Sequence, residues 1–244
     1  MNNILFVLIL LFPFSANAAC NTWWEVSTLA RNPNLVLNLT AHNHIVANVP
    51  SAWFRQVDKI KNKINRASGL YTKLFLCDSS TPNAFASRAS GQNVVMITLG
   101  MLKLVGNDWD VYAALLGHEN THLVRGHGQQ WQTRRVGIGI LELLANAALG
   151  AMTKPGTTVR ALGSEVVKLG SQAVYASYSR DDEREADRDG MIYAHRSGYD
   201  PSGAIRLHQK LGAASDFLSS HPSSANRIST ACSAKKPMVR SSAW

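Results

Sequence analysis

One short run combines histidine and carboxylate at a helical spacing: His118-Glu119-Asn120-Thr121-His122. Side chains four apart on an α-helix share a face, so both imidazoles of an H-E-x-x-H run can reach one metal ion. Glu119 lies about 100° round the helix from His118, where its carboxylate addresses a water on the metal rather than the metal itself. Zinc suits these ligands, because it accepts neutral imidazole and carboxylate and keeps one position open for water in catalytic sites. Two exposed histidines on a helix would give the same letters. The apolar run that leads into this motif, with Val111, Ala114 and Leu115, supplies the packed helix that a metal site needs.

Such a site requires a third ligand. Residues 179–189, Ser-Arg-Asp-Asp-Glu-Arg-Glu-Ala-Asp-Arg-Asp, taken alone read as a solvated helix face of alternating charge. Beside an H-E-x-x-H run they offer two carboxylate pairs one turn apart, Glu183 with Asp187 and Glu185 with Asp189. In either pair one member can ligate while the other holds the far nitrogen of a ligand histidine. Spacing leaves the choice open.

The elements that must carry these residues follow from periodicity. Trp53, Val57, Ile60, Ile64 and Ala67 recur at steps of three and four, predicting an amphipathic helix over 53–67 that stops at Gly69. Residues 71–77 and 93–99 are short, β-branched or aromatic, and bounded by turn residues, predicting strands. A helix over 109–125, apolar on one side, is stopped by Gly126 and Gly128. Further helices are expected over 159–178 and 181–197, the last ended by Gly198. The stretch 136–153 is nearly all apolar, but Glu142 at its middle favours a buried or hairpin helix over a membrane span. Helix, small sheet, then helices indicates an α+β fold.

The same residues carry a family resemblance. Asn83-Ala84-Phe85-Ala86, Thr98-Leu99-Gly100-Met101-Leu102, Leu116-Gly117-His118-Glu119-Asn120-Thr121-His122 with Gly126-His127, Ser179-Arg180-x-x-Glu183-x-x-Ala186-Asp187, and His221-Pro222 with Arg227-Ile228 occur in that order. Together they resemble the HtpX/BepA-type zinc metalloproteases, metallopeptidase family 48, in their soluble periplasmic branch. The resemblance implies a mainly helical gluzincin-like fold with a small sheet over the active-site helix. It implies His118, His122 and Glu183 as ligands of one zinc ion, Glu119 as general base and Asp187 as the partner of a ligand histidine. Residues Asn83, Ala84 and Phe85 look like the substrate edge, where an extended polypeptide adds to the sheet through main-chain hydrogen bonds. His221 and Arg227 are the candidates for stabilising the oxyanion, and His221 alternatively for a fourth zinc ligand. Pro222 holds His221 in extended geometry on a loop. The implied activity is a zinc endopeptidase acting on misfolded or misassembled envelope proteins. The alternative is a zinc-stabilised chaperone-like or binding module with latent or absent proteolysis, which would not need Glu119. His127 would lie about 180° from His118 if the helix continued, so it is not a ligand. His42 and His44 alternate like strand neighbours, and His195 and His208 have no recognisable partner.

Length and composition bound these readings. The 244 residues, 45% hydrophobic and 17% charged, exclude a disordered chain, and three cysteines exclude a disulfide-framework miniprotein. The apolar run 4–14 followed by Ala16-Asn17-Ala18 reads as a secretory signal over 1–18, leaving one metalloprotease domain over 19–244 and a periplasmic location. Cys20 sits where a lipoprotein carries its anchor, which leaves Cys77 and Cys232 as the expected disulfide in an oxidising compartment. The net charge of +9 fits an anionic membrane surface. Lys and Arg are scattered rather than striped along one helix, which argues against nucleic acid.

Overall fold

The computed structural model describes residues 20–89, 91–128, 178–212, 221 and 227. Two strands that read as β-formers make its centre: β4 (Lys73–Cys77) and β6 (Gln92–Thr98) pair in parallel. In β6 Val94 to Thr98 are all buried, the mark of a strand covered on both faces. β1 (Trp23–Glu25) flanks β4 and β5 (Ala84–Ala89) flanks β6, both antiparallel, giving the order β1-β4-β6-β5. A separate hairpin joins β2 (Val36–Ala41) to β3 (His44–Pro50). Its turn residues His42 and Asn43 both have positive φ, 51° and 65°, as a two-residue hairpin turn of this hand requires. His42 is therefore a turn residue, not a strand neighbour of His44.

The helices are α1 (Val26–Ala30), α2 (Ser51–Ser68), α3 (Leu99–Val105), α4 (Trp109–Arg125), α5 (Arg180–Arg196) and α6 (Gly203–Leu211). The helices expected over 53–67, 109–125 and 181–197 are α2, α4 and α5 with ends shifted by two residues or fewer. Gly69 and Gly126 close α2 and α4 in the left-handed conformation, at φ 68° and 67°. The mixed class was read correctly. The one-sided character of α4 was not: every residue from Val111 to His122 is buried. It packs against α2, α5, α6 and the sheet, so polar residues on it are enclosed as fully as apolar ones. Trp53, Phe54, Val57, Ile60 and Ile64 of α2 meet Leu74, Leu76, Val95, Ile97, Tyr112, Leu115 and Leu116 in the main core.

The expected Cys77–Cys232 pairing is overturned, because Cys77 is bonded to Cys20. The cause is β1. Trp23 lies opposite Cys77 in the ladder, and Asn21 donates its backbone N–H to Asp78 at 2.9 Å, so the residues before β1 run beside the end of β4. The bond also engages the sulfur that a lipid anchor at Cys20 would need. Residues 1–18, 136–153, 159–177, Pro222 and Cys232 lie outside the described residues. No helix among the described residues is long and apolar enough to cross a membrane.

Candidate metal centre

Two helix starts set the geometry. Asp108 caps α4 by accepting the N–H of Val111. Ser179 and Asp182 exchange hydrogen bonds in a capping box that opens α5, whose first turn carries Asp181, Asp182 and Glu183 against the positive end of the helix dipole. α4 and α5 then meet glycine to glycine. A Cβ on Gly117 would stand 2.5 Å from the carbonyl oxygen of Gly190, and one on Gly190 would stand 2.6 Å from the backbone N of His118. Only two glycines permit this approach, and it brings the histidine face of α4 onto the carboxylate face of α5.

At that crossing His118, His122, Glu183 and His221 each turn one ligating atom into a common point, all within 4.8 Å of one another and all buried. The Nε2 atoms of His118 and His122 are 3.0 Å apart and lie 3.5 Å and 3.4 Å from the Glu183 carboxylate. His221 Nδ1 lies 3.0 Å from Glu183 Oε1 and 3.2 Å from His118 Nε2, while its Nε2 faces Glu119 Oε1 at 3.5 Å. Behind this set, His118 donates from Nδ1 to Asp187 Oδ1 at 3.0 Å, leaving Nε2 as its ligating nitrogen. Arg227 donates to both Asp187 oxygens at 2.7 Å and its Nη1 pairs with Glu183 Oε2 at 2.8 Å, so its guanidinium backs the carboxylates. His208 reaches Asp187 at 3.4 Å.

The electrostatics sort these groups. Burial pushes the Glu119 carboxyl above its usual range, against the pull of His221 and His118. Burial would do the same to Glu183 and Asp187. It is outweighed at Glu183 by His221, His118 and His122, and at Asp187 by Arg227, His118 and His208, so both stay well below the usual carboxylate range. Burial holds His122 well below the ordinary imidazole value, in the neutral form that ligates metals. Burial opposes charge on His221, but Glu183 and Glu119 outweigh it and raise that histidine.

A metal fits this donor set. Two imidazole nitrogens and an ionised carboxylate converge in a buried site, which is zinc's preferred chemistry. Both Glu119 oxygens are fully buried with no hydrogen-bond partner among the described residues, an expensive state for a carboxylate unless a cation or polarised water faces it.

Of the residues singled out by sequence, Asn83 and Ala84 are buried and Phe85 is half-buried against the Cys20–Cys77 cluster. Asn83 lies just before β5 and Ala84 and Phe85 begin it; no described strand pairs with its outer edge. Glu185 and Asp189 point elsewhere: Asp189 accepts two bonds from Arg125, and Glu185 approaches His127 at 3.4 Å. Sequence reasoning missed Gly117, Gly190, His208, His127 and Tyr178. His127 Nδ1 lies 3.0 Å from His122 Nδ1, and the Tyr178 ring stacks on His122 with centroids 3.6 Å apart. A glycine inside each of two otherwise good helices was the one local signal available.

Residues 52–235 match the family model described as Peptidase family M48. The chain belongs to that family. Among its M48 relatives, the mitochondrial metalloendopeptidase OMA1 of Arabidopsis thaliana is 29% identical over 184 residues, 72% of this chain and 35% of that protein. The beta-barrel assembly-enhancing protease of Yersinia pestis is 28% identical over 151 residues, 61% of this chain and 30% of that one. Metalloprotease LoiP of Escherichia coli is 27% identical over 189 residues, 75% of this chain and 70% of that one. The chain thus spans about a third of the length of the first two of these M48 relatives. The M48 resemblance carried by the motifs is borne out.

Proposed function

We propose that this chain is a zinc-dependent endopeptidase of the bacterial envelope, gluzincin-like in its metal centre, that hydrolyses peptide bonds of misfolded or misassembled proteins. The observation that carries this reading is the buried convergence of His118 Nε2, His122 Nε2 and the Glu183 carboxylate beside the carboxylate of Glu119, which has no hydrogen-bond partner among the described residues. His118, His122 and Glu183 would hold the ion. Zinc, when bound, supplies a Lewis acid that lowers the pKa of water toward about 7 and polarises the scissile carbonyl. Glu119, with its raised proton affinity, accepts the proton of the attacking water and returns it to the leaving amine. Asp187 fixes the tautomer and orientation of His118, and Arg227 keeps Asp187 ionised and aims both Asp187 and Glu183. The outer edge of β5, which begins at Ala84 and Phe85 just after Asn83, pairs with no described strand, and there an extended, unfolded polypeptide adds to the sheet. Names such as beta-barrel assembly-enhancing protease among the relatives support an envelope substrate class, and residues 4–18 support export to the periplasm.

His221 supports a second state. Its Nδ1 sits among the ligand atoms, which favours a fourth ligand that closes the centre over an oxyanion donor. A closed centre is the form that latent proteolysis would take. His221→Ala should then raise basal activity with zinc retained, whereas an oxyanion donor's loss would lower turnover by roughly 10²–10³. The proposal as a whole is tested by incubating the purified, zinc-loaded protein with unfolded casein. Internal cleavage that a chelator abolishes and added zinc restores supports it. Intact casein with both wild type and His221→Ala overturns it.

A further inference from the structure

His122 needs a partner behind it as much as His118 does, and of these two Asp187 meets His118. A metal-bound imidazole presents one nitrogen to the ion and the other, as N–H, to whatever fixes its ring. The Nε2 of His122 faces Glu183 and His118, so Nδ1 is the nitrogen left to donate. The atom it meets is Nδ1 of His127 at 3.0 Å. His127 is itself buried, with 2% of its surface exposed. Its Nε2 faces Glu185 Oε2 at 3.4 Å, with Asp182 Oδ1 farther off at 3.9 Å, so the negative side of its surroundings lies at Nε2 and favours hydrogen there. Each hydrogen then has one place: on His122 Nδ1, pointing at the lone pair of His127 Nδ1, and on His127 Nε2, pointing at the carboxylates. Tyr178 covers the face of the His122 ring, at an interplanar angle of 13°, so the ring is held by its edge and by its face. The backbone explains how a residue five positions on arrives here. Gly126 ends α4 at φ 67°, and the chain turns back instead of carrying His127 to the far side of the helix.

We infer that His127 is a positioning residue for the metal centre: it accepts the Nδ1 hydrogen of His122 and holds that ligand's Nε2 on the metal, with Glu185 and Asp182 orienting it in turn. The inference rests on the reading that His118, His122 and Glu183 bind zinc. Two polar replacements separate it from mere packing. In His127→Asn the side-chain oxygen stands near where Nδ1 was, so the acceptor for His122 is kept. In His127→Gln the polar group reaches the place of Nε2, so the carboxylate contact is kept and the acceptor is lost.

Zinc affinity of the full chain, measured by competition with a chromogenic chelator, is the readout. His127→Gln should bind zinc roughly 10–100-fold more weakly than wild type, with His127→Asn within about threefold. Equal affinities in the two variants, whether both near wild type or both weakened, overturn the inference while leaving the zinc reading intact. A wild-type chain that binds no zinc overturns both.

Discussion

Replacing Gly190 with alanine should damage the proposed metal centre although Gly190 supplies no ligating atom. Alanine is the better helix former by about 1 kcal/mol, so propensity alone would stabilise α5. The new Cβ, however, would stand 2.6 Å from the N of His118, 2.9 Å from the carbonyl carbon of Gly117 and 3.0 Å from the Cα of His118. All three are backbone atoms of α4, and no rotamer can move them aside. Ordinary carbon contact begins near 3.4 Å, so the helices must part by about 0.8 Å at this point, an overpacking cost of about 1–3 kcal/mol. Glu183 and Asp187 ride on α5 and the two histidines on α4, so the separation falls directly on the ligand distances. Metal–ligand distances tolerate only about 0.2 Å. Zinc affinity in Gly190→Ala, by chelator competition, should therefore fall roughly 10–100-fold, and Gly117→Ala should behave alike because its Cβ meets Gly190 from the other side. Gly69→Ala is the control. Its φ of 68° costs alanine about 1–2 kcal/mol of fold stability, yet nothing lies within 4 Å, so its zinc affinity should stay at the wild-type value. If Gly190→Ala binds zinc as tightly as wild type, the glycine contact does not set the ligand geometry.

Glu183→Ala should lose most of its zinc by metal analysis, since Glu183 converges on the histidines, whereas Glu185→Ala, which removes only a carboxylate behind His127, should lose far less; equal occupancy would overturn the ligand assignment. Arg206 donates to Asp108 from Nε at 2.8 Å and from Nη2 at 2.9 Å, and its guanidinium holds the Asp108 carboxyl below the usual range. A depressed carboxyl contributes stability that is present above about pH 4 and is lost as pH falls through the lower folded value. Arg206→Ala should thus cost up to about 1 kcal/mol by denaturant titration at pH 7, and less in acid. Cys20→Ser should lower stability by about 4 kcal/mol on the chain-entropy estimate for two cysteines 57 residues apart, and non-reducing peptide mapping of the wild-type chain should recover a Cys20–Cys77 pair. A Cys77–Cys232 peptide would restore the pairing expected from sequence.

Much of the fold could be read from period and punctuation. α2 and α4 end at Gly69 and Gly126, where a glycine follows a sustained helical repeat, β4 is dense in leucine and phenylalanine, and β6 is dense in β-branched residues. β5, Ala-Phe-Ala-Ser-Arg-Ala, has no β-branched residue and gains its order from pairing with β6. The three residues of β1 are too few for any period, and with β1 unread the nearness of Cys20 to Cys77 was invisible. At the metal centre, local spacing could bring His118 to His122 because one helix holds both. It could not choose Glu183 over Glu185, since the two faces of α5 carry the same pairs and only the Gly117–Gly190 contact decides which one meets α4. His127 escaped for a related reason: the helical extrapolation that sent it to the far side fails at a left-handed glycine one residue earlier.

In the proposed mechanism Glu119 is the residue on which hydrolysis, as distinct from metal binding, depends. It is fully buried, 3.5 Å from His221, and has no hydrogen-bond partner among the described residues. Glutamine there keeps the shape and removes the base. The decisive measurement is zinc content together with cleavage of unfolded casein for wild type and Glu119→Gln side by side. Both proteins should hold one zinc per chain, and only wild type should cleave. A zinc-loaded Glu119→Gln protein that digests casein at near the wild-type rate would show that Glu119 is not the base.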